Sequence, residues 1–188
     1  MTYLTCRKSK SGNLALNYDL LSLRETMESI VSIIQPQVKA RKQSFNIFIR
    51  KIQEENIYAD SVRLNQVLLN LLSNALKFTP EGGEICLSYA AKPMDGQHCQ
   101  IQLKVRDTGI GMSEAFLERI FVPFEQEYSS MTSSYVGSGL GLSIVNHLVS
   151  LMGGTVTVGK QTGTGELFHD FIASSHCSQG SGLRNSCG

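Results

Sequence analysis

DSVRLNQVLLNLLSNALKF, residues 60–78, is the stretch on which the fold turns. Wound as a helix, it places Leu64, Val67, Leu68, Leu71, Leu72, Ala75 and Leu76 at the i, i+3, i+4, i+7 spacing of one buried face. At about 100° per residue, Asn70, Asn74 and Lys77 share a second side within roughly 60° of arc. That polar stripe holds two amides and an ammonium but no acid. Amide oxygens are hard ligands suited to magnesium, and an ammonium suits a phosphate. The stripe therefore reads as a nucleotide-holding face, although alone it also fits a core helix whose polar side meets water.

Asp60 is placed to cap the start of this helix. Thr79-Pro80-Glu81-Gly82-Gly83 stops it, because proline cannot continue a helix and the glycines permit a sharp turn. Upstream, Ser22 and Glu25 form a capping box before Met27, Ile30, Val31, Ile34 and Val38 at helical spacing. Pro36 is expected to kink or weaken that helix. Phe45, Ile47 and Ile49 alternate as a strand does, and a short strand is expected over Asn56–Ala59. Ile85, Leu87 and Tyr89, then Cys99, Ile101, Leu103 and Val105, predict a hairpin whose second strand runs into Asp107. Ser113 reads as the cap of a short helix carrying Phe116, Leu117 and Ile120. The stretch 127–136 is polar and reads as a mobile loop. A helix with Leu142, Val145, Leu148, Val149 and Met152 follows, ended by Gly153-Gly154. Thr155–Val158 and Leu167–Ile172 close as a hairpin.

This order predicts an α+β fold, a two-layer sandwich with a mixed, mostly antiparallel sheet and helices packed on one face. Three segments are expected: a linker over 1–21, a nucleotide-binding domain over 22–172, and an unstructured or expression-derived tail over 173–188. With 17 basic and 16 acidic residues the net charge is +1, which favours neither nucleic acid nor an anionic membrane. No apolar run reaches membrane-spanning length. The five cysteines show no paired spacing and read as reduced cytosolic thiols. His169, His176 and Cys177 come nearest to a metal set, but their spacing argues against a zinc site.

Two glycine loops follow the central helix. Asp107-Thr108-Gly109-Ile110-Gly111-Met112 puts a carboxylate where a strand gives way to a loop. A carboxylate only accepts hydrogen bonds and the adenine amino group donates them, so Asp107 suits adenine over guanine. The same tripeptide also fits a plain turn in which Asp107 caps its own backbone. Gly109 and Gly111 let the backbone approach a flat base. Gly137-Ser138-Gly139-Leu140-Gly141-Leu142 opens a helix whose free N–H groups attract phosphate. The pattern is neither a Walker A loop nor a dinucleotide fingerprint.

Taken in order, Asn70-x-x-x-Asn74-x-x-Lys77-Phe78 resembles the N box of sensor histidine kinases. Asp107-x-Gly109-x-Gly111 resembles their first glycine box, Phe121-x-x-Phe124 their F box, and Gly137-x-Gly139-x-Gly141-Leu142 their second glycine box. The likeness runs from about Ser22 to Phe171 and implies the GHKL ATPase fold, ATP with Mg2+, and γ-phosphoryl transfer to a histidine. It implies magnesium ligation by Asn74 with Asn70, a phosphate contact from Lys77, and Phe78 at the nucleotide's border. Asp107, Gly109, Ile110, Gly111, Phe124, Gly137, Ser138, Gly139, Leu140, Gly141 and Leu142 complete the implied ATP-binding set, with 129–136 as the lid. The implied partners are a histidine-bearing dimerisation domain, whose helix residues 1–21 would end, and a response regulator receiver domain. The implied location is cytoplasmic.

Three departures stand out. None of the four histidines lies in a phosphoacceptor context, so the accepting histidine is expected elsewhere. Thr132-Ser133-Ser134-Tyr135 replaces the basic residue that relatives often carry in the lid. Glu166 stands where they usually have Ser or Thr, and a second acid near Asp107 would repel it. The last two favour an alternative, a non-catalytic ATP-sensing module of the same fold. Gyrase-like and chaperone-like ATPases have a glutamate in place of Asn70 to activate water; an amide cannot take that proton.

Overall fold

The computed structural model describes residues 16–52, 55–94, 98–127, 138–160 and 167–177. Among the described residues seven strands form one sheet: β1 (Asp19–Ser22), β2 (Ser44–Ile52), β3 (Asn56–Ala59), β4 (Glu84–Pro93), β5 (His98–Asp107), β6 (Thr155–Lys160) and β7 (Leu167–Cys177). Their order is β1-β3-β7-β5-β4-β2, with β6 also paired to β7. Only β2 and β4 run parallel; the other pairs are antiparallel. The helices are α1 (Leu23–Ala40), α2 (Ser61–Phe78), the single turn α3 (Glu114–Leu117) and α4 (Gly141–Leu151).

The seven apolar residues expected on the buried face of α2 are the seven that are buried. They pack between α1 and α4 and against β5. Opposite them, β5 buries every second residue from Cys99 to Asp107, as a strand covered on one side must. Burying each of these leucines contributes about 1.5–3 kcal/mol before entropy is counted.

Both ends of α2 are secured. Asp60 Oδ1 accepts from Arg63 N at 3.0 Å, and its Oδ2 accepts from Asn17 N at 2.9 Å. At the other end Gln43 Nε2 donates to the carbonyls of Leu76 and Thr79, and Arg41 Nη1 donates to Leu76 O at 3.2 Å. Ser22 caps α1 through Glu25 N at 3.3 Å, and Ser113 caps α3 through Phe116 N at 3.2 Å.

Several expectations need correction. Residues 19–21 are not linker but strand β1, which pairs Leu20 with Tyr58 and Leu21 with Ile57. β7 does not stop at Ile172: it runs to Cys177, pairing with β5 from His98 to Asp107 and with Ile57 and Tyr58 of β3. Pro36, expected to kink or weaken α1, lies inside it, and the helix continues to Ala40. Ile49 is 56% exposed on β2, an edge strand of the sheet. His169 and Cys177 stand eight residues apart on one strand, about 26 Å along it, in keeping with the spacing argument against a metal set. The anticipated mobile loop and lid at 128–136, Gly137 and Glu166 lie outside the described residues.

Candidate functional site

The end of α2 is where the singled-out residues meet. Asn70, Asn74, Lys77 and Phe78 are all half-buried. The Asn70 carbonyl accepts from Ser73 Oγ, while among the described residues the side-chain amides of Asn70 and Asn74 bond to no protein group. Half-buried amides without a protein partner are open to water or to a ligand. Gly141, the first residue of α4, faces them: a Cβ added there would lie 3.6 Å from Asn74 Nδ2 and 4.0 Å from Asn70 Oδ1.

Leu140 caps α4 without any side-chain hydrogen bond, so among the described residues no side chain at the cap covers the first-turn N–H groups beside those amides. Leu140 N itself is held by Ser138 Oγ at 3.3 Å, and Leu142 packs on the core. Lys77 Nζ sits 4.8 Å from the centroid of the Phe78 ring. No carboxylate pairs with it among the described residues, and burial pushes its ammonium below the ordinary lysine value. A desolvated cation over an aromatic face, lacking an acid, is suited to an incoming anion.

Asp107 ends β5 and is 4% exposed. Burial pushes its carboxyl up to about 6, partly offset by the hydrogen bond that Oδ1 accepts from Gly109 N at 2.9 Å. Asp107 thus makes the local turn that its tripeptide allowed, and it does so while buried. No described group donates to Oδ2. The loop is lashed to α2 by Ile110 N, which donates to Phe78 O at 3.3 Å. Gly109 is required there: a Cβ would lie 2.6 Å from Asp107 Oδ1 and 2.7 Å from Phe78 O. Gly111 adopts φ +72°, and the Ile110 side chain is exposed.

Phe124 is tied to the second glycine loop by its backbone. Its N–H donates to Gly139 O at 3.0 Å, and its own φ is +66°. Gly139, at φ +69°, leaves no room for a side chain, since a Cβ would meet the Phe124 carbonyl carbon at 2.7 Å. Phe124 is 72% exposed.

The glycine loops and the polar stripe of α2 are therefore neighbours, as a nucleotide site requires. Three contributors escaped the sequence reading. Gln43 and Arg41 act at long range, with no local signal. Thr108 lay inside a recognised motif, and only its bonds to Glu84 distinguish it.

Known proteins share this fold. The family described as histidine kinase-, DNA gyrase B-, and HSP90-like ATPase matches residues 59–174. The autoinducer 2 sensor kinase/phosphatase LuxQ of Vibrio vulnificus is 36% identical over 163 residues, covering 86% of this chain and 19% of that protein. Signal transduction histidine-protein kinase BarA of Escherichia coli is 32% identical over 161 residues, 86% of this chain and 17% of its own length. The chain thus spans about a fifth of these relatives. Among solved structures, full-length ShkA in complex with AMPPNP superposes with a TM-score of 0.72 at 30% identity, covering 88% of this chain and 32% of that one. The catalytic domain of histidine kinase ThkA shares the fold, with a TM-score of 0.68 at 23% identity over 84% of this chain and 95% of that one. With residues 59–174 matched to the family model and more than 30% identity to sensor kinases over 86% of its length, the chain belongs to the histidine kinase-, DNA gyrase B-, and HSP90-like ATPase family.

Proposed function

We propose that this chain is the ATP-binding catalytic domain of a two-component sensor histidine kinase, positioning Mg-ATP for phosphoryl transfer to a histidine outside these residues. The observation that carries the reading is the pair of unpartnered amides, Asn70 and Asn74, facing the uncapped start of α4 at Gly141. Adenine would be read by the Asp107 carboxylate, with Gly109 and Gly111 allowing the base to lie close. The phosphates would lie between Lys77 and the first N–H groups of α4, next to Ser138, Gly139 and Leu140. Asn70 and Asn74 fit magnesium as neutral oxygen donors; a bound Mg2+ would supply charge neutralisation on the phosphates.

In the proposed reaction an imidazole nitrogen of the partner histidine bonds to the γ-phosphorus. The bond from that phosphorus to the β,γ-bridging oxygen breaks, and ADP leaves with the electron pair. The work of this chain is placement and charge stabilisation. Asn70 cannot deprotonate water, which supports slow hydrolysis and transfer to a docked histidine. The partners would be histidine-bearing dimerisation helices and a receiver domain, and the compartment the cytoplasm. No described helix is long and apolar enough to cross a membrane.

The test is to mix the purified chain with histidine-bearing dimerisation helices and ATP labelled on the γ-phosphate. Acid-labile, alkali-stable label on the helices supports the kinase. Nucleotide binding without transfer supports instead an ATP-sensing module, the reading favoured by the uncharged stretch at 132–135 and by Glu166.

A further inference from the structure

The β4–β5 ladder runs in register from Pro93↔Cys99 to Ile85↔Asp107. One residue further on, the pairing changes character. Thr108 N donates to Glu84 O at 3.0 Å, as a ladder would have it. The reciprocal bond does not go to the Thr108 carbonyl: Glu84 N donates to Thr108 Oγ1 at 2.9 Å. A side-chain hydroxyl has taken the place of its own backbone carbonyl.

The substitution has a geometric result. β5 stays fully paired through Asp107, yet the chain is released to turn at the next peptide. Gly109 N then folds back to Asp107 Oδ1, and Ile110 N reaches Phe78 O. Gly83 makes room for the hydroxyl: a Cβ there would lie 3.1 Å from Thr108 Oγ1 and 2.4 Å from Thr79 Cγ2. Asp107 has one bonded oxygen and no other described partner, so its direction is set by the strand before it and the turn after it. Thr108 joins the two.

From this pairing we infer that Thr108 is a positioning residue: its hydroxyl ends the β4–β5 ladder in a way that aims the Asp107 carboxylate at the base of a bound nucleotide. The inference rests on the reading of Asp107 as the adenine acceptor. A hydroxyl is needed because Glu84 N–H is part-buried and must find an acceptor. Valine has the same shape and offers none; serine keeps the oxygen and loses only a methyl.

The experiment uses the whole chain and four variants, Thr108→Val, Thr108→Ser, Thr108→Ala and Asp107→Asn. The dissociation constants for ATP and GTP are measured by calorimetry with magnesium, alongside thermal unfolding. Thr108→Val is expected to weaken ATP about 10-fold while GTP changes less than about 2-fold, so that base preference narrows. Thr108→Ser is expected to stay within about 2-fold of the parent for both. If the valine chain does not fold, Thr108→Ala, which also lacks the hydroxyl, is held to the same expectation. Equal weakening of ATP and GTP, or serine behaving like valine, would show a merely structural residue and overturn the inference. Unchanged ATP binding in folded Thr108→Val or Thr108→Ala, with Asp107→Asn impaired, would do so while leaving the adenine reading intact. Unchanged ATP binding in Asp107→Asn would remove the adenine reading itself, and this inference with it.

Discussion

Asp107 carries opposing demands. Its burial favours the neutral acid, whereas accepting a hydrogen bond from an amino group favours the carboxylate. Because its carboxyl is raised from 3.8 to about 6, the folded chain binds this proton more tightly than the unfolded chain does. The stability so gained is full below pH 3.8 and is lost as the pH rises to about 6, by about 3 kcal/mol at most. Asp107→Asn should flatten that stretch of the unfolding-midpoint profile and weaken ATP binding by about 1–3 kcal/mol. Thermal scans from pH 4 to 7 and calorimetry check both effects, and a profile parallel to the parent's would contradict the burial argument. Asn74→Ala makes a different demand. Affinity for ATP with magnesium should fall more than affinity without it, since an amide ligand is removed while the fold's apolar face is untouched. Equal losses would mark Asn74 as a fold element.

The helices show what can and cannot be read locally. The buried face of α2 is legible because seven apolar residues recur at helical period, and Asp60 and Ser22 because capping needs only a side chain and a nearby N–H. The clamp on the far end of α2 is not legible, since Gln43 and Leu76 are 33 residues apart. Nor is the second role of Asp60, which reaches back 43 residues to Asn17. Asp60→Ala should therefore cost more than an ordinary cap. About 1 kcal/mol comes from the helix start and about 0.5–1.5 kcal/mol more from the lost bond to the Asn17 N–H. Urea unfolding measures the sum, whereas a loss below about 1 kcal/mol would leave the Asn17 bond without weight. The glycine loops fall between these cases. Their types announce close approach, but only the folded chain reveals that Gly109 is pressed by Phe78 and Gly139 by Phe124.

Across the whole molecule, β7 is the strand that the sequence understated. Ala173-Ser174-Ser175-His176 has little strand propensity of its own. It is extended because β5 pairs along its full length and β3 meets its end. Deleting residues 173–188 should remove on the order of 3–6 kcal/mol of ladder bonding and lower the unfolding midpoint by about 10 °C or more. A shortened chain that melts like the parent would make that end of the strand dispensable. β1 was missed for the same reason: Asp19–Ser22 has no periodicity, only a neighbour. Its attachment has a mechanical corollary. The eighteen residues of α2 form a rod of about 27 Å, tied at its start by Asp60 to Asn17 and clamped by Gln43 and Arg41 at the tip that carries Lys77 and Phe78. Pinned at both tips, the rod cannot tilt alone. A rotation of about 5° about the Asp60 tip would sweep the other through roughly 2 Å, so any tilt of the polar stripe has to break the Gln43 and Arg41 bonds first.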